Sequence, residues 1–167
     1  MNLESQMREL AAAARTASRT LATATGLQRD KALTVLADLL DESRGDIFAA
    51  NTRDLDAARA AGLDEARIDR LRITDGGVDS MAAACRHVAG LSDPVGEVEG
   101  MVRRPNGLLV GRMRIPLGVI AIVYESRPNV TVDAAILCLK AGNSVILRGG
   151  SEAYHSNQVL GGLLRRA

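Results

Sequence analysis

Apolar residues recur at helical spacing through the first half of this chain and at strand spacing only beyond Val95. From about Leu3 to Leu21 the sequence is alanine-rich, with Met7, Leu10, Ala14, Ala17 and Leu21 three or four apart. That spacing predicts a weakly amphipathic helix. Thr25-Gly26-Leu27-Gln28 has the form of a capping box, in which a hydroxyl and an amide three residues later each satisfy a free backbone N–H. Behind it, Ala32, Leu33, Leu36, Leu39, Leu40, Ile47 and Phe48 make a longer apolar stripe, so a second helix is expected to run through them. The segment from Asn51 to Ala61 is polar and alanine-rich and closes at Gly62, a suitable C-cap. A short helical piece is expected from Asp64 to Leu71. Thr74-Asp75 offers the N-cap of a further helix, whose inner face carries Val78, Met81, Ala82, Cys85, Val88 and Ala89. Pro94 cannot continue it.

After Val95 the period changes. Val98–Arg104 and Leu108–Ile115 flank Pro105-Asn106-Gly107, a strong hairpin signal. Arg103, Arg104, Arg112 and Arg114 decorate this ribbon, either as a solvated face that guards a sheet edge or as a subunit contact. Val119–Tyr124 is short, apolar and β-branched, as a strand buried on both faces would be. A helical pattern from Val132 to Ala141 ends at Gly142-Asn143, and Ser144–Leu147 is the next strand. Strand, helix, strand implies a parallel pair, and ligands bind beyond the carboxyl ends of such strands. Each of these ends carries a polar segment, Tyr124–Asn129 and Arg148–Glu152. From Tyr154 the chain turns helical again. The expected class is α/β: a helical part at residues 1–96, a β-hairpin at 97–115, and the start of a parallel sheet at 116–167.

Composition narrows the classes of function. The chain has 167 residues, 47% of them apolar and 25% charged, a balance that suits a folded domain rather than a disordered one. The net charge of +1 gives no electrostatic reason to expect nucleic acid or an anionic membrane. Phe48, Tyr124 and Tyr154 are the only aromatics, too few for base-stacking platforms. The two cysteines, Cys85 and Cys138, lie in apolar helical patterns, which fits reduced core thiols. The opening MNLESQMREL lacks the apolar core of a signal peptide, and no run reaches the ~18 apolar residues of a spanning helix. A cytoplasmic protein is expected. His87 and His155 occur in unrelated contexts and suggest no metal site.

The two polar segments carry the candidate chemistry. In Arg148-Gly149-Gly150-Ser151-Glu152, the glycines let backbone approach a ligand, the guanidinium suits a phosphate, and the carboxylate can accept from ribose hydroxyls. An adenosine ribose, with a 2′-phosphate on the arginine, satisfies all three. A Gly-Gly turn with an exposed ion pair satisfies the same spacing, and no Gly-x-Gly-x-x-Gly is present. In Glu125-Ser126-Arg127-Pro128-Asn129, Pro128 stiffens the loop, Arg127 can clamp a carboxylate or phosphate, and the Asn129 amide can donate to a developing oxyanion. Alternatively, Asn129 or Thr131 caps the following helix.

These same residues carry a resemblance. Arg114-Ile115-Pro116-Leu117-Gly118-Val119-Ile120, Tyr124-Glu125-Ser126-Arg127-Pro128-Asn129-Val130-Thr131-Val132-Asp133 and Gly142-Asn143-Ser144-Val145-Ile146-Leu147-Arg148-Gly149-Gly150 closely resemble the gamma-glutamyl phosphate reductases, also called glutamate-5-semialdehyde dehydrogenases, of the aldehyde dehydrogenase superfamily. The likeness extends back through Asp54–Leu71 and Leu91–Gly96. It implies the Rossmann-like parallel sheet of the aldehyde dehydrogenase fold and NADP(H) as cofactor. It also implies reduction of L-glutamyl 5-phosphate to L-glutamate 5-semialdehyde and phosphate, in proline biosynthesis, through a cysteine thioester. By the same resemblance, Tyr124, Glu125, Ser126, Arg148, Gly149, Gly150, Ser151 and Glu152 contact the cofactor, Arg127 binds substrate, and Asn129 holds the oxyanion. The hairpin around Asn106-Gly107 resembles part of an oligomerisation element, so a homo-oligomer is expected, and the family also suggests association with glutamate 5-kinase. Neither Cys85 nor Cys138 matches the family nucleophile, which lies in a later catalytic domain. The chain is therefore expected to be the N-terminal part of such an enzyme and inactive alone. The alternative is a non-catalytic nucleotide-binding or subunit-interaction fragment.

Overall fold

The computed structural model describes residues 2–167; Met1, where the expected helical part begins, lies outside the described residues. Among the described residues seven helices and four strands follow in the order α1 (Leu3–Thr23), α2 (Gly26–Glu42), α3 (Arg44–Ala60), α4 (Glu65–Leu71), α5 (Asp75–Ala89), β1 (Val98–Arg103), β2 (Leu109–Met113), β3 (Val119–Val123), α6 (Val130–Lys140), β4 (Ser144–Arg148) and α7 (Tyr154–Arg166). A single 3-10 turn, Ser151–Ala153, leads into α7.

The helix boundaries follow from capping chemistry. At Thr25 the capping box is complete, with the Gln28 amide donating to Thr25 Oγ1 and the Thr25 amide donating to Gln28 Oε1. Asp64 and Thr74 cap α4 and α5 through the Arg67 and Gly77 amides. Gly62, at φ +72°, closes α3: its amide donates to the Arg59 carbonyl and that of Leu63 to the Ala58 carbonyl, the two bonds of a Schellman motif. Gly142 and Asn143 close α6 in the same way.

The stripe expected to form one helix from Ala32 to Phe48 is divided at Ser43. There the backbone leaves helical geometry (φ −100°, ψ 17°) because α2 packs on α5 while α3 packs on α7, so the axis must turn. Across the turn the Ser43 amide still donates to the Leu39 carbonyl, and the Ser43 carbonyl accepts from the Ile47 amide.

One core spans the helical half and the α/β unit. Leu33, Leu36 and Leu40 of α2, Val78 and Cys85 of α5, Val132 and Ile136 of α6 and Leu160 of α7 are all buried in one cluster. Lys140, 5% exposed, ties this core together, with Nζ donating to Asp30 Oδ1 at 2.6 Å and to the Ala89 carbonyl at 3.0 Å. Arg29, 2% exposed, holds Asp93 at 2.6 Å and so fixes the exit toward β1.

β1 and β2 form an antiparallel ribbon whose residues are all exposed. Pro105-Asn106-Gly107 make a three-residue turn: Gly107, at φ +87°, donates to the Arg104 carbonyl, and the Arg104 amide donates to Leu108.

β3 and β4 pair in parallel, Val119 opposite Ser144 and Val123 opposite Arg148, joined through α6. The expectation that β3 is buried on both faces is not met, since Val119 is 38% and Val123 75% exposed. Among the described residues β4 is its only partner strand, and α6 and most of α1's sheet contact lie against β4.

Candidate functional site

The two polar segments meet in space because their strands end together, with the Tyr124 amide donating to the Arg148 carbonyl at 3.1 Å. The Tyr124 hydroxyl lies 2.5 Å from Thr131 Oγ1, and the Thr131 hydroxyl donates to Asn157 Oδ1 at 2.8 Å. Since Thr131 has a single proton, Tyr124 is the donor in the first bond. This relay links the end of β3 to α6 and α7. It passes under Gly149, where a Cβ would overlap the Asn157 amide, which accounts for glycine at that position.

Ser126 and Glu152 close the gap between the loops. The Ser126 amide donates to Glu152 Oε1 at 2.6 Å and its hydroxyl to the same oxygen at 3.0 Å. To do so Ser126 takes φ +53°, a left-handed conformation that costs a non-glycine residue roughly 1–2 kcal/mol. The charge-assisted bonds to the carboxylate offset that strain. Burial alone would raise the Glu152 carboxyl. Hydrogen bonds from its own backbone N–H and from Ser126, with the Arg148 charge nearby, outweigh it and hold the group below its ordinary value.

Around this latch the other predicted residues divide. Tyr124, Arg148, Gly149, Gly150 and Ser151, with Asn157, line a cavity of about 690 Å³ beside β4, α6 and α7. Arg148 is exposed and has no ion-pair partner within 4 Å among the described residues. Glu125 and Arg127 are exposed, and Pro128, which follows Arg127, is buried.

Asn129 faces another cavity, about 320 Å³, between α5 and the start of α6, lined also by Arg72, Ser80, Met81, Pro128 and Asp133. Asn129 is itself helical (φ −58°, ψ −29°) and makes no cap, so neither expected capping role is seen: its Nδ2 donates to Asp133 Oδ2 at 3.2 Å, and Thr131 joins the Tyr124 relay. Burial pushes the Asp133 carboxyl up, only partly opposed by the Asn129 bond.

Neither thiol suits nucleophilic work. Cys85 is fully buried and pushed up to about 11 by loss of hydration and the Asp133 charge; burial raises Cys138 too. Among the described residues no group of three or more His, Cys, Asp or Glu side chains could hold a metal, and no helix is long and apolar enough to cross a membrane.

Two residues that position the site were not anticipated. Asp54 of α3, 2% exposed, accepts the His155 amide at 2.9 Å on Oδ1 and the Ser156 amide at 2.8 Å on Oδ2. It thus caps the start of α7 from a distant helix. Asn51, one turn earlier, donates to the Leu71 carbonyl at 2.8 Å and Ser156 Oγ at 3.2 Å and accepts the Ile73 amide at 2.9 Å. The signal was present in the sequence: Asn51, Asp54, Leu55 and Ala58 share one helical face, so the polar pair stands in line with apolar core residues.

The whole chain is 59% identical to gamma-glutamyl phosphate reductase of Nitratidesulfovibrio vulgaris, matching 40% of that protein. Along its entire length the chain resembles the gamma-glutamyl phosphate reductases. It spans about two fifths of the length of the curated relatives it matches. The crystal structure of gamma-glutamyl phosphate reductase from Thermotoga maritima superposes with a TM-score of 0.89 at 46% identity, covering 92% of this chain and 37% of that one. An NAD-dependent benzaldehyde dehydrogenase from Corynebacterium glutamicum shares the fold, with a TM-score of 0.72 at 16% identity over 92% of this chain and 31% of that one. No family model matches the chain. The reductases and the aldehyde dehydrogenase fold agree with the architecture expected from the sequence.

Proposed function

We propose that this chain supplies the cofactor-binding part, and one wall of the substrate site, of an enzyme that reduces L-glutamyl 5-phosphate to L-glutamate 5-semialdehyde and phosphate, a step of L-proline biosynthesis. The observation that carries the reading is a pair of exposed cations, Arg127 and Arg148, at the ends of adjacent parallel strands, in a chain 59% identical along its length to a reductase of that name.

The residues present fit NADP(H). The cavity of about 690 Å³ is of cofactor-site size, and its rim offers Arg148, not ion-paired among the described residues, for a 2′-phosphate. A Cβ at Gly149 or Gly150 would overlap the Asn157 amide or the Glu152 carboxylate, so glycine at both positions lets the loop pack closely beside the cavity, and Ser151 adds a hydroxyl. When bound, NADPH supplies a hydride. Glu152 keeps one oxygen on Ser126 and retains the other for a ribose hydroxyl. Tyr124, Glu125 and Ser126 stand at the loop between cofactor and substrate. Arg127 holds the acyl phosphate, and the second N–H of the Asn129 amide donates to the oxygen that gains charge during reduction. The exposed apolar residues of the β1–β2 ribbon, among them Met101, Val102, Leu109 and Met113, support self-association through that element.

Titrating the chain with NADPH and NADH tests the cofactor assignment. NADPH is expected to bind at least about tenfold more tightly, and Arg148→Ala to remove the difference. An unchanged preference in the variant would take Arg148 out of the phosphate role.

A further inference from the structure

The cavity between α5 and α6 has chemistry that neither a cofactor nor an acyl phosphate uses. Asp133 is a half-buried carboxylate with no ion pair among the described residues, and its one side-chain hydrogen-bond partner is the neutral Asn129 amide. Across the same cavity stands Arg72, whose guanidinium is held, among the described residues, only by a loose 3.9 Å contact to Asp69. Ile73 and Met81, both buried, give the cavity apolar surface. An unpaired carboxylate, a nearly unpaired guanidinium and an apolar patch complement a zwitterion on a short methylene chain.

We infer that this cavity receives the amino-acid end of the substrate, with Asp133 facing its α-ammonium group and Arg72 its α-carboxylate. The inference rests on the reductase reading, which makes the substrate a glutamyl derivative. Spacing supports it. Asn129 and Asp133 lie one helical turn apart, about 6 Å along the axis. In a glutamyl group the reacting carbonyl and the α-carbon are separated by two methylenes, so one ligand can meet both side chains. The bond from Asn129 to Asp133 then ties recognition of the ammonium group to the orientation of the amide beside the reacting carbonyl.

The test is titration of the chain, followed by amide NMR, with L-glutamate, glutarate (no ammonium) and 4-aminobutyrate (no α-carboxylate). L-Glutamate is expected to shift the amides of Gly77, Ser80 and Asp133, and each analogue to bind at least about tenfold more weakly. Asp133→Asn, which keeps the shape and an acceptor for Asn129, should abolish discrimination against glutarate. Arg72→Gln should abolish discrimination against 4-aminobutyrate. Equal binding of glutarate and L-glutamate by the unaltered chain, or no shift at those amides, overturns the inference, as does discrimination that survives Asp133→Asn. NADPH titration, read at the Arg148–Ser151 amides, separates the two ideas. Loss of NADPH binding with glutamate discrimination intact counts against the reductase reading alone, and the converse against this inference alone.

Discussion

Glu152 accepts both the amide and the hydroxyl of Ser126 on one oxygen, at 2.6 and 3.0 Å, and so joins two loops that lie 26 residues apart in sequence. The bond fixes the loop carrying Arg127 against the loop carrying Arg148. It also holds Ser126 in a left-handed conformation that serine does not adopt by preference.

Glu152→Gln should therefore loosen both loops. Glutamine can still accept from Ser126 but loses the charge, at a cost of about 1 kcal/mol. The pH dependence has a definite sign. The folded carboxyl lies below its ordinary value of 4.5, so the unfolded chain takes up the proton first. The stability it contributes is complete above that ordinary value and is lost as pH falls through the lower folded value. Urea unfolding between about pH 5 and pH 3 should show a shallower decline in the Gln variant than in the unaltered chain. Parallel declines would show that Glu152 contributes nothing to the acid limb.

Asp54 is expected to matter more to stability than any residue of the loops. Its two oxygens satisfy two backbone donors at the start of α7, one of them on fully buried Ser156. Asp54→Asn keeps the shape but turns an amide donor toward one of those N–H groups. The loss should be about 1–3 kcal/mol, seen as a lower urea midpoint at unchanged slope. A midpoint within error of the unaltered chain would mean that α7 is anchored by its apolar face alone.

What the sequence revealed divides along the range of the interactions. The caps at Thr25, Gly62, Thr74 and Gly142 were legible because each is completed within a few residues. So were the hairpin at Pro105-Asn106-Gly107 and the inward face of Cys85. The kink at Ser43 was not, because it answers to α5 and α7, elements distant in sequence. Of the site, the two strand-end segments were legible as a pair. Their internal arrangement was not: Ser126 and Glu152 bond to each other, and Asn129 turns toward Asp133 rather than into the cavity that Arg148 lines. Each of these depends on contacts between segments, which spacing does not encode.

The buried thiols make a chemical prediction. Cys85 is pushed up to about 11, so near pH 8 very little of it is thiolate, and it is fully covered. Cys138 is nearly as buried and also raised. Reaction of the folded chain with an aromatic disulfide reagent at pH 8 should be slow and should proceed at the rate of unfolding. Two equivalents should react at once in denaturant. Fast labelling of either thiol in the folded chain would contradict its place in the core.

Gly149 and Gly162 give opposite expectations for the same substitution. Gly162 lies in α7 with open space around a built Cβ, so Gly162→Ala should stabilise the helix by about 0.5–1 kcal/mol. At Gly149 the methyl overlaps the Asn157 amide and comes within 3.2 Å of the Tyr124 hydroxyl oxygen. Asn157 can swing away, but only by giving up its bond from Thr131, which breaks the relay beneath the Arg148 loop. Gly149→Ala should then lower the melting temperature modestly while weakening NADPH binding at least about tenfold, because the displaced side chain belongs to the lining of the larger cavity. Equal NADPH affinity in both variants would place the cofactor away from Gly149, even if the two melting temperatures diverge as expected.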